Sequence, residues 1–237
     1  MCQVAVVKCR SHWYNCFRVK KVDIKIIFEN ENYVVCIKPS GIMSEDGDVA
    51  GMPTLLSGDS ERPYYVIHRL DREVGGVMVY AKDKKTAAAL SAQMQGGGFG
   101  KEYIAVLSGQ VEQNGNLQDF LFRDKRKNKT YIVKRERAGV KKAELEYSLI
   151  ASGEVDGEIL SLVKIHLITG RTHQIRTQFS FRKHPVYGDG KYGSRYRNGF
   201  GLFSSVLEFT DPKSGERVSF SAVPQYEEPW AFFKQYL

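Results

Sequence analysis

Short runs of alternating apolar and polar residues, broken by glycine, proline and asparagine clusters, set the pattern of this chain. In "VDIKIIFENENYVVCIKPSG" the alternation predicts two short strands joined by a polar turn over Glu29 to Asn32, with Pro39-Ser40-Gly41 ending the second. The folded part is expected to start near Val22. Residues 42 to 63, rich in Gly, Asp and Ser, read as a loop. In "YYVIHRLDREVGGVMVYAKD", residues 64 to 83, two apolar runs read as strands on either side of a charged segment. Asp83 can cap a helix "KKTAAALSAQMQ", whose Ala87, Leu90 and Met94 share one face, and Gly96 to Gly98 end it.

"KEYIAVLSG" predicts a strand with Tyr103, Ala105 and Leu107 on one side and Ile104 and Val106 on the other. "KTYIVKRERAGVKKAELEYSLIA" alternates like an exposed hairpin. "EILSLVKIHLITG" sets Val163, Ile165 and Leu167 against Lys164 and His166, a half-buried strand running through Gly170 into a helix-like "RTHQIRTQFSF". There, His173 and Arg176 lie on one face. "HPVYGDGKYG" reads as a rigid turn, and "GLFSSVLEFTDP" and "RVSFSAV" as two closing strands. Strands and helices follow no steady strand-helix-strand rhythm, which predicts an α+β fold on a mixed, largely antiparallel sheet. Residues 1–21 stand apart as an extension and 22–237 as one domain.

Charge sharpens this picture. The chain has a net charge of +8. Ten basic residues between Arg123 and Lys142, against Asp124 and Glu136, give that single stretch the same surplus. Lys134, Arg135 and Arg137 sit at its centre. Such a stretch suits a phosphate backbone, and it equally suits a solvated edge that discourages strand-to-strand aggregation. No apolar run approaches the ~20 residues of a membrane span, so the chain is expected to be soluble and without a membrane partner. All four cysteines fall within the first 36 residues, which points away from a disulfide framework and towards a reducing, cytoplasmic setting. Cys9, His12 and Cys16 have zinc-like spacing but lack the tight pair and fourth ligand of a structural site.

Several common chemistries are missing. "QGGGFGKEY" has Gln95 where a P-loop needs its first glycine and Glu102 where it needs Ser or Thr. "GGVMVYA" lacks the dinucleotide-binding glycine pattern. There is no HExxH pair and no Gly-x-Ser-x-Gly elbow.

What remains is the segment His68-Arg69-Leu70-Asp71-Arg72-Glu73, which carries far more charge than a turn needs. "HRLD" followed by "GGVMVYAK", "KEYIAV", "GRTHQIRTQF" and "HPVYGDGKYG" resembles, in order and spacing, the RluA-type branch of the RNA pseudouridine synthases. The resemblance extends from about Val22 to the C-terminus. It implies the pseudouridine synthase catalytic fold, an RNA substrate (ribosomal or transfer RNA), and no cofactor or metal. It assigns the essential carboxylate to Asp71, the aromatic residue against the target base to Tyr103, and the arginine that pairs with the carboxylate to Arg176. Arg69 would fill the gap left in the RNA by the displaced base. Most members carry Thr-Ser-Gly after the aspartate, where this chain has Val74-Gly75-Gly76. The optional N-terminal RNA-binding domain of the family is not expected in residues 1–21, and a monomer is the default.

The implied reaction detaches uracil from C1′ of ribose, turns it and rejoins it through C5. Positive charge builds at C1′ as N1 departs, and an ionised carboxylate can stabilise that charge, attack the carbon, or remove the C2′ proton. In a water-poor pocket the fork of Arg176 is expected to hold Asp71 ionised. Tyr103 offers a stacking surface and a phenol able to relay a proton. His68 and His173 read as scaffold. Two other classes share part of this pattern: a base glycosylase, which would activate a water, and an RNA-binding chaperone without turnover.

Overall fold

The computed structural model describes residues 22–60 and 62–237. Cys9, His12, Cys16 and the rest of the N-terminal extension therefore lie outside the described residues. From the N-terminal side, β1 (Ile26–Glu29) and β2 (Tyr33–Lys38) form the expected hairpin. Its turn is closed by Asn30, whose Oδ1 accepts from the backbone N–H groups of Asn32 and Tyr33 at 2.9 and 2.8 Å. The segment expected to be a loop, 42–63, contains a helix, α1 (Met52–Ser57). It is six residues long with a proline in its first turn, too short to register as a helical period.

After β3 (Tyr65–Val66) comes β4 (Gly75–Ala81), buried at every position, and then α2 (Lys84–Gln95). Asp83 caps α2 by accepting from Thr86 N–H at 2.8 Å. There follow β5 (Gly100–Ser108), β6 (Asn114–Asp124), β7 (Lys129–Val133), β8 (Val140–Val155) and β9 (Glu158–Leu167). The chain ends with α3 (Gln174–Phe181), a 3-10 turn (Gly190–Tyr192), β10 (Leu202–Thr210), β11 (Arg217–Ser221) and a C-terminal 3-10 segment (Trp230–Tyr236).

Among the described residues, eleven strands join one sheet, in the order β1-β2-β4-β10-β5-β9-β8-β6-β7, with β3 on β4 and β11 on β10. Every pairing is antiparallel except β4 with β10. The basic hairpin expected from 129 onwards does not exist as such. β7 and β8 each pair with β6, which lies between them. Alternation marked both as strands but carries no information about their partners.

Alternation along β5 sorts its side chains as expected. Tyr103, Ala105 and Leu107 join a core cluster with Leu70, Val74, Met78, Ile175 and Phe179, while Ile104 and Val106 pack on the opposite face with Trp230 and Phe233. The first face carries the 67–74 segment and α3, so the core that holds the sheet together also holds these two segments against each other. Where β4 meets β10, Gly76 has φ +131° and a Cβ there would lie 2.4 Å from Ser204 O. Only glycine allows that approach.

Candidate active site

The segment carrying Asp71 is fixed through its backbone. The Ser44 hydroxyl donates to Leu70 O at 2.8 Å and accepts from Leu70 N–H at 3.0 Å. Gly41 N–H and the ammonium of Lys38 both donate to Arg72 O, at 2.8 and 3.1 Å. Lys38 is fully buried and also donates to the carbonyls of Pro39 and Ile42 at 2.9 and 2.7 Å. Burial lowers its pKa to about 8 even though Glu73 and Asp71 pull it back up. Val74 N–H closes the turn on Asp71 O at 3.0 Å. Val74, which replaces the family's threonine, is buried in the core cluster beneath the turn, so an apolar anchor occupies that position.

Arg176 projects from α3 and is almost fully buried. It was expected to clasp Asp71 with its fork. Instead the fork grips Asp189, with Nε to Oδ2 at 2.6 Å and Nη2 to Oδ1 at 2.9 Å, and Nη1 reaches Asp71 Oδ2 at 2.9 Å. Glu73 stands 3.7 Å from Nη1. The rings of Tyr192 and Phe200 lie 5.1 and 5.3 Å from the guanidinium carbon. Burial alone would lower the pKa of Arg176, but hydrogen bonds and charge from Asp189 and Asp71 outweigh it and hold it above the ordinary value. Asp189 is thus a site residue that the sequence reading missed. Its sequence signal, "YGDG", reads equally well as a solvated turn.

α3 begins at Gln174, three residues later than the helix-like pattern suggested. His173 sits in the left-handed region at φ 53°, which turns its ring back towards the site. Its Nδ1 lies 2.8 Å from the Tyr192 hydroxyl, and its Nε2 is 3.7 Å from Asp71 Oδ2. Burial lowers its pKa against the opposing pull of Asp71, which favours the neutral ring. His173, expected to be a structural or supporting histidine, thus stands beside the carboxylate. His68, by contrast, is buried and accepts from Val79 N–H at 3.3 Å through Nε2. Burial and nearby Lys101 lower its pKa to about 3.

These groups line a cleft of about 680 Å³, with Asp71, Tyr103, Arg176 and Arg69 all on its walls. That volume lies in the range of small-molecule sites. Tyr103 is buried, and desolvation together with the charge of Asp71 raises its phenol pKa, so it holds its proton at neutral pH. Lys101, two residues along the same strand face, also lines the cleft, with its pKa lowered by burial. Arg69 pairs with Glu45 at 2.5 Å at the exposed mouth, a contact weak enough to exchange for another anion. Lys134, Arg135 and Arg137 lie on the exposed connection from β7 to β8 and line neither this cleft nor the hollow beside it.

Among the described residues, no helix is long and apolar enough to cross a membrane.

Residues 32–181 match the family described as RNA pseudouridylate synthase. The chain belongs to that family, within its RluA-type branch. A ribosomal large subunit pseudouridine synthase D of Borreliella burgdorferi is 32% identical over 199 residues, covering 77% of this chain and 59% of the relative. A dual-specificity RNA pseudouridine synthase RluA of Vibrio parahaemolyticus is 31% identical over 212 residues, covering 80% of this chain and 78% of the relative. The chain spans 59% to 66% of the length of three of the curated relatives it matches. Among solved structures, human RNA pseudouridylate synthase domain containing 1 shares the fold with a TM-score of 0.75 at 21% identity, covering 91% of this chain and 89% of that one.

Proposed function

We propose that this chain is an RNA pseudouridine synthase that isomerises uridine in ribosomal or transfer RNA. It would act as a monomer in the cytoplasm, through one catalytic domain spanning 22–237. The observation that carries the reading is the carboxylate of Asp71, held at 2.9 Å by Nη1 of a buried guanidinium whose Nε and Nη2 donate to Asp189. A fixed cation keeps a carboxylate charged where water is scarce, as the departure of N1 from C1′ requires. The name of one relative, which specifies the ribosomal large subunit, supports the ribosomal part of this reading.

In this reading the target uridine is flipped into the cleft at a cost of ~2–4 kcal/mol, and Arg69 leaves Glu45 to fill the vacated stack. Asp71 acts at C1′, as nucleophile, electrostatic stabiliser or base for the C2′ proton. Tyr103 packs against the everted ring. Once the base has been turned and rejoined, its phenol relays the proton that C5 loses, and N1, whose bond to C1′ has been broken, gains one, so no proton is consumed overall. Lys101 adds positive charge where the departing uracil is anionic. Lys134, Arg135 and Arg137 contribute long-range attraction to the RNA.

Asp71→Asn keeps the shape and removes the charge. Total RNA from cells lacking the gene is incubated with wild type or variant, and pseudouridine is mapped. The expected result is pseudouridine with wild type, none with the variant, RNA binding retained by both, and no change in RNA mass. Turnover by Asp71→Asn near the wild-type level would overturn the assignment, and loss of uracil mass would indicate a glycosylase.

A further inference from the structure

Beside the catalytic cleft, and sharing Arg123, Arg171 and Thr172 with it, lies a second hollow of about 230 Å³. The sheet register explains its composition. Leu121 faces Lys141 across the β6–β8 ladder, and Arg123 faces Thr130 across the β6–β7 ladder. Side chains two apart on a strand share a face, so Arg123 and Lys141 flank the floor formed by buried Leu121 and Thr130. The segment before α3 forms the other wall. Thr130 Oγ1 donates to Thr172 O at 2.9 Å and ties that segment to β7. Arg171 donates its Nε to Lys142 O at 3.0 Å, which leaves both Nη groups for the hollow.

No carboxylate and no aromatic ring lines this hollow. Among the described residues, Arg123, Lys141 and Arg171 form no ion pair, whereas neighbouring Lys142 stands 3.8 Å from Glu144. Three unneutralised cations on separate elements suit a compact anion. The absence of an aromatic plane argues against a stacked base. The shared wall makes the two sites continuous, with Arg171 five residues ahead of Arg176 on the same segment.

We infer that this hollow is a phosphate subsite that takes a backbone phosphodiester of the RNA adjoining the nucleotide in the catalytic cleft. The inference rests on the RNA reading above. It places the strand's path over the ends of β6 and β8.

The test compares wild type with Arg123→Gln/Lys141→Gln, each single variant, and Lys213→Gln as a control at an exposed residue 3.7 Å from Glu31. Binding of ribosomal RNA from cells lacking the gene is measured from low to moderate salt. The double variant is expected to bind roughly tenfold more weakly at low salt. Its slope of log affinity against log salt should be shallower by about 1, with the single variants between and Lys213→Gln like wild type. An unchanged slope in the double variant, or an equal change in Lys213→Gln, overturns the subsite. Inorganic phosphate, titrated at constant ionic strength and followed by amide NMR, forms the second arm. Tight phosphate binding lost in the double variant, with the RNA slope unaltered, would make the hollow a free-anion site and also overturn the proposal. If wild type makes no pseudouridine in the parallel mapping, the enzymatic reading fails while the slopes still decide the subsite.

Discussion

Burying a guanidinium costs several kcal/mol unless its donors are taken and its charge is answered. Arg176 directs three of its N–H groups at two carboxylates, and the rings of Tyr192 and Phe200 lie beside it. The division of labour matters chemically. Had the fork closed on Asp71, each of its carboxylate oxygens would be committed to a guanidinium N–H. Because Asp189 takes the fork, a single donor steadies Asp71 through Oδ2, and Oδ1 stays out of that contact. Asp189→Asn should therefore affect more than stability. An asparagine can accept through Oδ1 but presents its Nδ2 donors to an N–H of Arg176, leaving a buried cation half-answered. The expected loss is about 3–5 kcal/mol in chemical denaturation, with pseudouridine formation falling as the guanidinium shifts towards Asp71. In the Arg176→Met background the same substitution should cost much less, because the two residues act as one unit. A stability change below about 0.5 kcal/mol in the single variant would show that the Asp189 contact is incidental.

At the scale of elements, the segment bearing Asp71 leads directly into β4, whose pairing with β10 is parallel, unlike the other pairings among the described residues, and begins at Gly75 and Gly76. Gly76 there has a positive φ and faces Ser204 O and N at 2.4 and 2.5 Å from where a Cβ would be. Gly97, at φ +78°, has open space around it. Alanine at Gly97 carries only the strain of its backbone, ~1–3 kcal/mol, whereas alanine at Gly76 adds a clash with the backbone of Ser204. Gly76→Ala should lower the thermal midpoint well beyond Gly97→Ala and reduce turnover, since the turn bearing Asp71 must move. Equal midpoints would mean that the junction is softer than its geometry implies. The strands flanking this junction were legible in the sequence because each has an apolar period of its own, as in "GGVMVYA" and "KEYIAVLSG". Asp83 announced α2 because a cap is a local signal. The partner of β7 was not legible, because its place beside β6 is settled by the face that strand presents to the core. Asp71, Tyr103 and Arg176 were found through a resemblance spread over the chain, and their meeting in one cleft follows from β5 and α3 lying on the same face of the sheet. Asp189 was missed because burial of a turn aspartate leaves no mark on its neighbours in sequence.

Across the whole molecule, the site is assembled from segments far apart in the chain, so anything that loosens the sheet loosens the cleft, and two buried bases set how pH does so. Lys38 has a pKa lowered to about 8 from 10.5. Between those values the unfolded chain binds more protons than the folded one, so the contribution of Lys38 to stability grows as pH rises. His68 works in the acid range. Its pKa falls from 6.5 to about 3 in the fold, through burial and then Lys101. The unfolded chain takes up a proton as pH drops through 6.5 while the folded chain resists until about 3, so stability is lost across that window. The structural reason is that Nε2 accepts from Val79 N–H and would be turned into a donor facing a donor. His68→Gln keeps an acceptor there and cannot be protonated. In urea denaturation between pH 7 and pH 4, wild type should lose stability more steeply than His68→Gln, the difference widening as pH falls. Parallel curves for the two proteins would show that His68 is not the acid-sensitive point of the β4 ladder, and the retention of activity by His68→Gln near pH 7 would separate this role from the chemistry at Asp71.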